Sequence, residues 1–194
     1  MIKKISFLWF ILLVLGCNPQ EQTSKGNTSS YVGIAEILDE QVGTLLASSA
    51  GLEKQVTSNG TKEILEVTLE DSAAWKSQLQ LFYDADISRP GYTGAYFVEE
   101  LPASSGSSKK IYTARKKKRF VRVMECTYQG DLLQEVRLEL TKRNEVFSLD
   151  QELFLFFTTE SGKSRLSSFS IEGQEQMKLK QGLSFSVVGT IVWP

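Results

Sequence analysis

Apolar residues are arranged in three successive ways along this chain. Between Ile5 and Leu15 they run almost unbroken, and from Asn18 to Ser30 the chain is polar and small. From Tyr31 they recur at helical intervals, with Tyr31, Ile34, Ala35, Leu38, Val42, Leu45 and Leu46 on one face. This predicts a helix over 31–50, started by Ser30 and ended by Gly51. A second helix is predicted over 72–85, with Asp71 as its cap and Trp75, Leu79, Phe82 and Tyr83 on its apolar face; Pro90 limits its continuation. Between the two helices, 52–58 and 61–68 flank Asn59-Gly60, the pair suited to a type I′ hairpin turn.

From Tyr92 onward the period becomes two. Strands are predicted over 92–101 and 111–114, then through Phe120, Met124, Cys126 and Tyr128, and through Leu132, Val136, Leu138 and Leu140. Three more follow over 146–159, 165–179 and 183–192. A Ser/Gly-rich loop from Pro102 to Ser108 and turns at Gln129-Gly130-Asp131, 160–163 and Gln181-Gly182 separate them. Such short connections pair neighbouring strands antiparallel, because parallel pairing needs long crossovers. The expected fold is α+β: two N-terminal helices packed on a curved, mostly antiparallel meander sheet, with a half-barrel as one form open to it. The pattern leaves closure of the sheet open.

The apolar run at the start changes the picture. Met1-Ile2-Lys3-Lys4 is positively charged, eleven apolar or small residues follow, and Gly16 precedes Cys17. At ~1.5 Å per residue that stretch reaches ~17 Å, short of the ~30 Å hydrocarbon core, so it reads as a signal peptide and not a membrane span. Val14-Leu15-Gly16-Cys17 resembles the lipobox of bacterial lipoproteins. The resemblance implies cleavage before Cys17, a diacylglycerol on its sulfur and acylation of the new amino terminus. Several acyl chains, at ~0.8 kcal/mol per buried methylene, hold a protein stably on a membrane. The chain then divides into a signal peptide (1–16), a lipidated Cys17 with a flexible tether (17–30) and one α+β domain (31–194). Asn18, where an Asp would favour the inner membrane, points to the outer membrane.

Composition is that of a globular protein, 41% hydrophobic and 23% charged. The chain has no histidine, which removes imidazole-based catalysis, Ser-His-Asp and Cys-His arrangements included. With Cys17 taken by lipid, Cys126 has no intramolecular partner and reads as a small buried hydrophobe, with a reactive thiol as the alternative. Asp84-Ala85-Asp86-Ile87-Ser88 begins like a calcium loop, yet Arg89 and Ala95 occupy the positions that need Gly and Glu. Asp84 and Asp86 are therefore expected to act as turn and capping groups. Gly162-Lys163-Ser164 lacks the earlier glycine of a phosphate loop, and Ser107-Ser108-Lys109-Lys110 matches Ser-x-x-Lys outside the helix that motif needs. Glu99 and Glu100, adjacent on a strand, face opposite sides and cannot act as a pair. No catalytic, cofactor or metal residue is expected.

Charge is distributed unevenly. Lys109, Lys110, Arg115, Lys116, Lys117, Lys118, Arg119 and Arg122 lie in fourteen residues without an acid, while the remainder of the chain is acidic. This run is a candidate contact for anionic headgroups, lipopolysaccharide phosphates or an acidic partner; a solvated hairpin tip is the plainer reading. Phe154, Phe156 and Phe157 put aromatic side chains on both faces of one strand, which keeps a hydrophobic ligand in view.

Several ordered pieces carry a resemblance that spans nearly all of the chain after Cys17. They are the early helix, Leu52-Glu53-Lys54-Gln55-Val56 with Asn59-Gly60 and Glu63, and Trp75, Leu79 and Phe82 running into Asp86-Ile87-Ser88-Arg89-Pro90. Tyr96, Ile111-Tyr112-Thr113-Ala114, Asn144 with Val146-Phe147, and a terminal strand with Gly189 complete the order. The chain resembles a family of small uncharacterised outer-envelope lipoproteins of Bacteroidetes, in which Asn-Lys stands where this chain has Ser88-Arg89. The resemblance implies a fold and an address, and no activity. The expectation is a non-enzymatic lipoprotein anchored in the cell envelope through Cys17, serving a structural or interaction role, with an envelope protein as partner. The alternative is a carrier or sensor of a lipid or other hydrophobic ligand. Nucleic acid is not expected as a partner.

Overall fold

The fold is that of a computed structural model, which describes residues 31–102, 106–178 and 180–194, with backbone alone at 180 and 181. The expected signal peptide, Cys17 and the expected tether lie outside the described residues.

Nine strands form one antiparallel sheet: β1 (Gly51–Ser58), β2 (Thr61–Val67), β3 (Tyr96–Pro102), β4 (Ser107–Ala114), β5 (Val121–Gln129), β6 (Leu132–Arg143), β7 (Phe147–Glu160), β8 (Lys163–Met177) and β9 (Lys180–Val192). Their spatial order is β2-β1-β9-β8-β7-β6-β5-β4-β3. From β3 to β9 the chain meanders, and the β1–β2 hairpin docks on β9. The edges β2 and β3 do not meet, so the sheet is not closed into a barrel.

Among the described residues, three α-helices, α1 (Ile34–Ala47), α2 (Ser72–Gln78) and α3 (Gln80–Asp84), occur where two were expected. The second breaks at Leu79, whose φ and ψ of −100° and 7° leave the helical range. Asp71 caps α2 as expected, accepting from the Ala74 N–H at 2.7 Å. The ends of α1 differ from expectation. Its cap position is Gly33, and the carboxylate of Asp86, far along the chain, accepts from the Ile34 N–H at 3.2 Å. Its last turn closes through Ser49 at φ 50°, with the Ala50 N–H donating to the Leu45 carbonyl, while Gly51 already belongs to β1.

Strand boundaries moved where local chemistry outweighed hydrophobic alternation. Pro90–Tyr92 form a 3-10 turn, so β3 begins at Tyr96 instead of Tyr92. β4 is twice the expected length because Lys109 and Lys110 are paired across strands, with Glu125 and Glu100. Gly182 lies inside β9, not in a turn. Asn59 and Gly60 take positive φ (45° and 86°), as the type I′ turn between β1 and β2 requires.

One face of the sheet is buried under the helices. Tyr112, Met124, Leu138 and Leu153 form one row across it, and Cys126, Val136, Leu155 and Phe169 the next. Trp75, Leu79, Phe82, Ile34, Leu38 and Leu45 descend on them from the helices. Glycine decides the packing at one point. A Cβ on Gly189 would lie 2.3 Å from the ring of Phe169, its cross-strand partner, so the ring lies flat over the Gly189 backbone and edge-on to Phe82, centroids 6.0 Å apart.

Gln41 joins helix to sheet through the backbone. β9 pairs with β8 only from Ser168 onward, so the backbone groups of Leu166 and Ser164 that face away from β7 have no ladder partner there. The Gln41 amide, 6% exposed, supplies one to each: its Oε1 accepts from the Leu166 N–H at 2.8 Å and its Nε2 donates to the Ser164 carbonyl at 3.1 Å.

Candidate functional site

Buried titratable groups are structural in their settings. The Cys126 thiol is fully buried and desolvation pushes it up to about 12, against smaller opposing effects of Tyr128 and Lys110. A thiol that stays protonated is a poor nucleophile, so the inert reading of Cys126 fits its surroundings. Asp86 holds three donors, the Ile34 N–H, the Ser88 N–H and the Ser88 hydroxyl, which is the capping role expected of it. Asp84 accepts from Gln80 at 2.9 Å. Among the described residues, no group of three metal-ligating side chains gathers.

Where the chain enters the domain, three tyrosines lock it. The Tyr31 hydroxyl accepts from the Tyr96 N–H at 3.1 Å, standing in for a strand partner at the head of β3. Its ring meets Tyr96 and Tyr112 edge-on, each with centroids 5.7 Å apart. Burial raises the Tyr96 hydroxyl to about 12 and the Tyr112 hydroxyl further.

The basic run does not form one patch. Lys109 and Lys110 lie on opposite faces toward one end of β4, held by Glu125 at 2.9 Å and Glu100 at 2.7 Å. Five residues further, ~17 Å along the strand, the β4–β5 turn carries Arg115, Lys116, Lys117, Lys118 and Arg119, with Arg122 just inside β5. Arg115 lies 4.0 Å over the ring of Phe97 and Arg119 5.3 Å over that of Tyr92. Among the described residues, none of the six makes an ion pair. Lys117 and Arg122 border a recess of about 570 Å³ on the face away from the helices, where Glu139, Asp150 and Glu152 line the other wall.

Those carboxylates are engaged. Arg137 bonds Glu139 at 2.8 Å and also Glu152, and reaches Glu125 at 3.4 Å; Arg143 holds Asp150 at 2.8 Å. Glu139 and Glu152, directly opposite each other on β6 and β7, share one guanidinium and lie within a lattice of ion pairs, not across an open cleft. Glu99 and Glu100 point to opposite faces of β3, and Glu100 is the partner of Lys110.

The aromatic triplet of β7 divides. Phe157 is buried under the helices, whereas Phe154 and Phe156 stack in parallel, 5.7 Å apart, on the far face beside Arg137. On the helix-bearing face the interface is filled by fully buried side chains, Trp75, Phe82 and Phe169 among them. Beyond the helices that same face continues as Phe147, Leu149, Leu183 and Phe185, all half-buried. Strand alternation gave no warning of this strip, because nothing in the sequence says where the helices stop covering the sheet. No helix among the described residues is long and apolar enough to cross a membrane. Compared with protein-family models, curated proteins and solved structures, the chain matches none of them.

Proposed function

We propose that this chain is a lipoprotein of the cell envelope, anchored through acyl chains on Cys17 and serving as a non-enzymatic interaction module at the outer membrane. The observation that carries the reading is the order charged start, short apolar run, Val14-Leu15-Gly16-Cys17 and polar spacer. Membership of a family of small Bacteroidetes envelope lipoproteins, suggested by the sequence pieces alone, is part of this proposal. In this reading the open sheet is a half-barrel curved around its helices. Function is exerted through surfaces: the free strand edges, the cationic turn and the face bearing Phe154 and Phe156. Metabolic labelling with a radiolabelled fatty acid tests the anchor. Label retained by the native chain and lost on Cys17→Ser, with release from the membrane fraction, is the expected result; an unlabelled native chain, or a variant that fractionates unchanged, overturns it.

A second reading, a carrier of a hydrophobic ligand, is favoured by one observation. Phe147, Leu149, Leu183 and Phe185 leave an apolar strip on the helix-bearing face beyond the helices. Lipid retained by the chain in native mass spectrometry, and lost on Phe185→Ser, would replace the first reading with this one; a ligand-free chain removes it.

A further inference from the structure

Strand register places the β1–β2, β4–β5, β6–β7 and β8–β9 connections along one rim of the sheet, with the head of β3 beside them. This rim differs from the opposite one in two independent ways. The first is charge. Residues 115–119 are five cations in succession, Arg122 and Lys142 lie on the neighbouring strands and Lys178 on the β8–β9 connection, while Arg143 is paired with Asp150 and Glu145 is the acid among these turns. The opposite rim carries Glu70, Asp71, Asp131 and Glu160 against Lys163, and the cations just inside it, Lys109, Lys110 and Arg165, are each paired with a carboxylate. The second is exposed apolar surface among the cations. Val146 is 60% exposed at the β6–β7 turn, Met177 38% at the end of β8, and Phe97 56% under the Arg115 guanidinium.

The two central turns form a joined surface. The Lys178 N–H donates to the Val146 carbonyl at 3.2 Å, and Val146, Met177, Arg143 and Lys178 border one recess of about 260 Å³. Cations around protruding apolar side chains suit a bilayer interface, where ammonium and guanidinium groups meet phosphates and the apolar tips enter the acyl boundary. An acidic protein surface would match the charge and leave Val146 and Met177 unexplained.

We infer that this rim docks the domain edge-on to a bilayer containing anionic phospholipid. The surface excludes Lys109 and Lys110, which are paired near the other rim, and adds Lys142, Lys178, Val146 and Met177 to the cationic turn. It deepens the reading of a membrane-anchored protein, because it sets how the domain sits on the membrane. Tyr31, where the chain enters, is bonded to Tyr96, whose β4 partner Ala114 directly precedes Arg115. Thirteen residues separate Cys17 from Tyr31, a covalent reach of at most ~45 Å, so an anchored Cys17 and a docked rim are compatible.

The test uses residues 17–194 carrying Cys17→Ser, so that neither an acyl chain nor the apolar run before Cys17 contributes and a failed anchor is distinguished from a failed rim. Co-sedimentation is measured with phosphatidylcholine vesicles and with vesicles holding 30% phosphatidylglycerol. Binding to the anionic vesicles alone is expected, weakening steeply as salt rises. The triple variant Lys116→Glu, Lys117→Glu, Lys118→Glu lowers partitioning on the order of 100-fold or more. Val146→Asp weakens binding without moving the thermal unfolding midpoint, and Lys109→Gln with Lys110→Gln leaves it unchanged. Equal binding to neutral vesicles, no binding to anionic ones, or an undiminished triple variant of native circular dichroism overturns the inference. Insensitivity to Val146→Asp replaces the bilayer with an acidic partner surface.

Discussion

Replacing Gln41 by Leu isolates a side chain that fastens α1 to the sheet through backbone groups. The two side chains are close in volume, so little packing is lost; what disappears is an acceptor 2.8 Å from the Leu166 N–H and a donor 3.1 Å from the Ser164 carbonyl. Each bond contributes ~1 kcal/mol net, and a buried donor left without a partner costs ~1–3 kcal/mol. Leu166 is fully buried, so solvent does not replace the lost acceptor, whereas Ser164 is half-buried and recovers part of its loss. The expected destabilisation is ~2–4 kcal/mol, or a fall in Tm of ~5–15 °C for a domain of this size. Urea unfolding followed by the fluorescence of buried Trp75 measures it, with the midpoint shifted and the m-value unchanged. Glu40→Gln, on the exposed side of the same helix turn, serves as control and moves the midpoint little. A Gln41→Leu loss below ~0.5 kcal/mol would refute the idea that the stretch of β8 beyond the end of β9 depends on this amide.

Asp86→Ala removes the carboxylate that caps α1 from a distance and leaves the Ile34 and Ser88 donors without it; a loss of ~1–3 kcal/mol is expected, with faster hydrogen exchange at Ile34 than at Leu45. Gly189→Ala drives a methyl into the Phe169 ring, which Phe82 and the core hold in place, and should cost ~1–3 kcal/mol. Gly173→Ala meets Phe185 just as closely, but that ring is half-exposed and can swing aside, so calorimetry should rank the two clearly. Cys126 should resist Ellman's reagent at pH 8 in the native chain. In denaturant the thiol count then reports the anchor, one thiol if Cys17 carries a thioether and two if it does not. In the unfolded chain Cys126 ionises near its ordinary value, about 9 or a little below, whereas in the native chain burial holds it protonated up to about 12. Its contribution to stability is complete below the lower value and is lost as pH rises between the two. Tyr96 and Tyr112, raised by burial, add loss of the same sign. Stability that held level from pH 9 to 11 would contradict this.

Periodicity alone determined much about this protein: the helix near residue 34, the hairpin at Asn59-Gly60, and the antiparallel order from β3 to β9. These rest on local chemistry, on which face a residue presents and which φ a turn demands, and neighbours in sequence carry that information. Tertiary structure decided the rest. Asp86 looked like a local turn residue and is one, through Ser88, yet it also caps the first helix, a contact between segments fifty-two positions apart. Lys109 and Lys110 read as one run with Arg115 to Arg122, because a linear count of charge does not see the carboxylates across the strand. Gln41 sat unremarked on a helical face, since the backbone groups it serves lie on β8, 125 residues away, where the β9 ladder has stopped. The candidate docking rim was half legible as a basic turn. Its other half, Val146, Met177 and Lys178, comes from two further hairpins, and only the pairing of long strands brings their tips to the same edge.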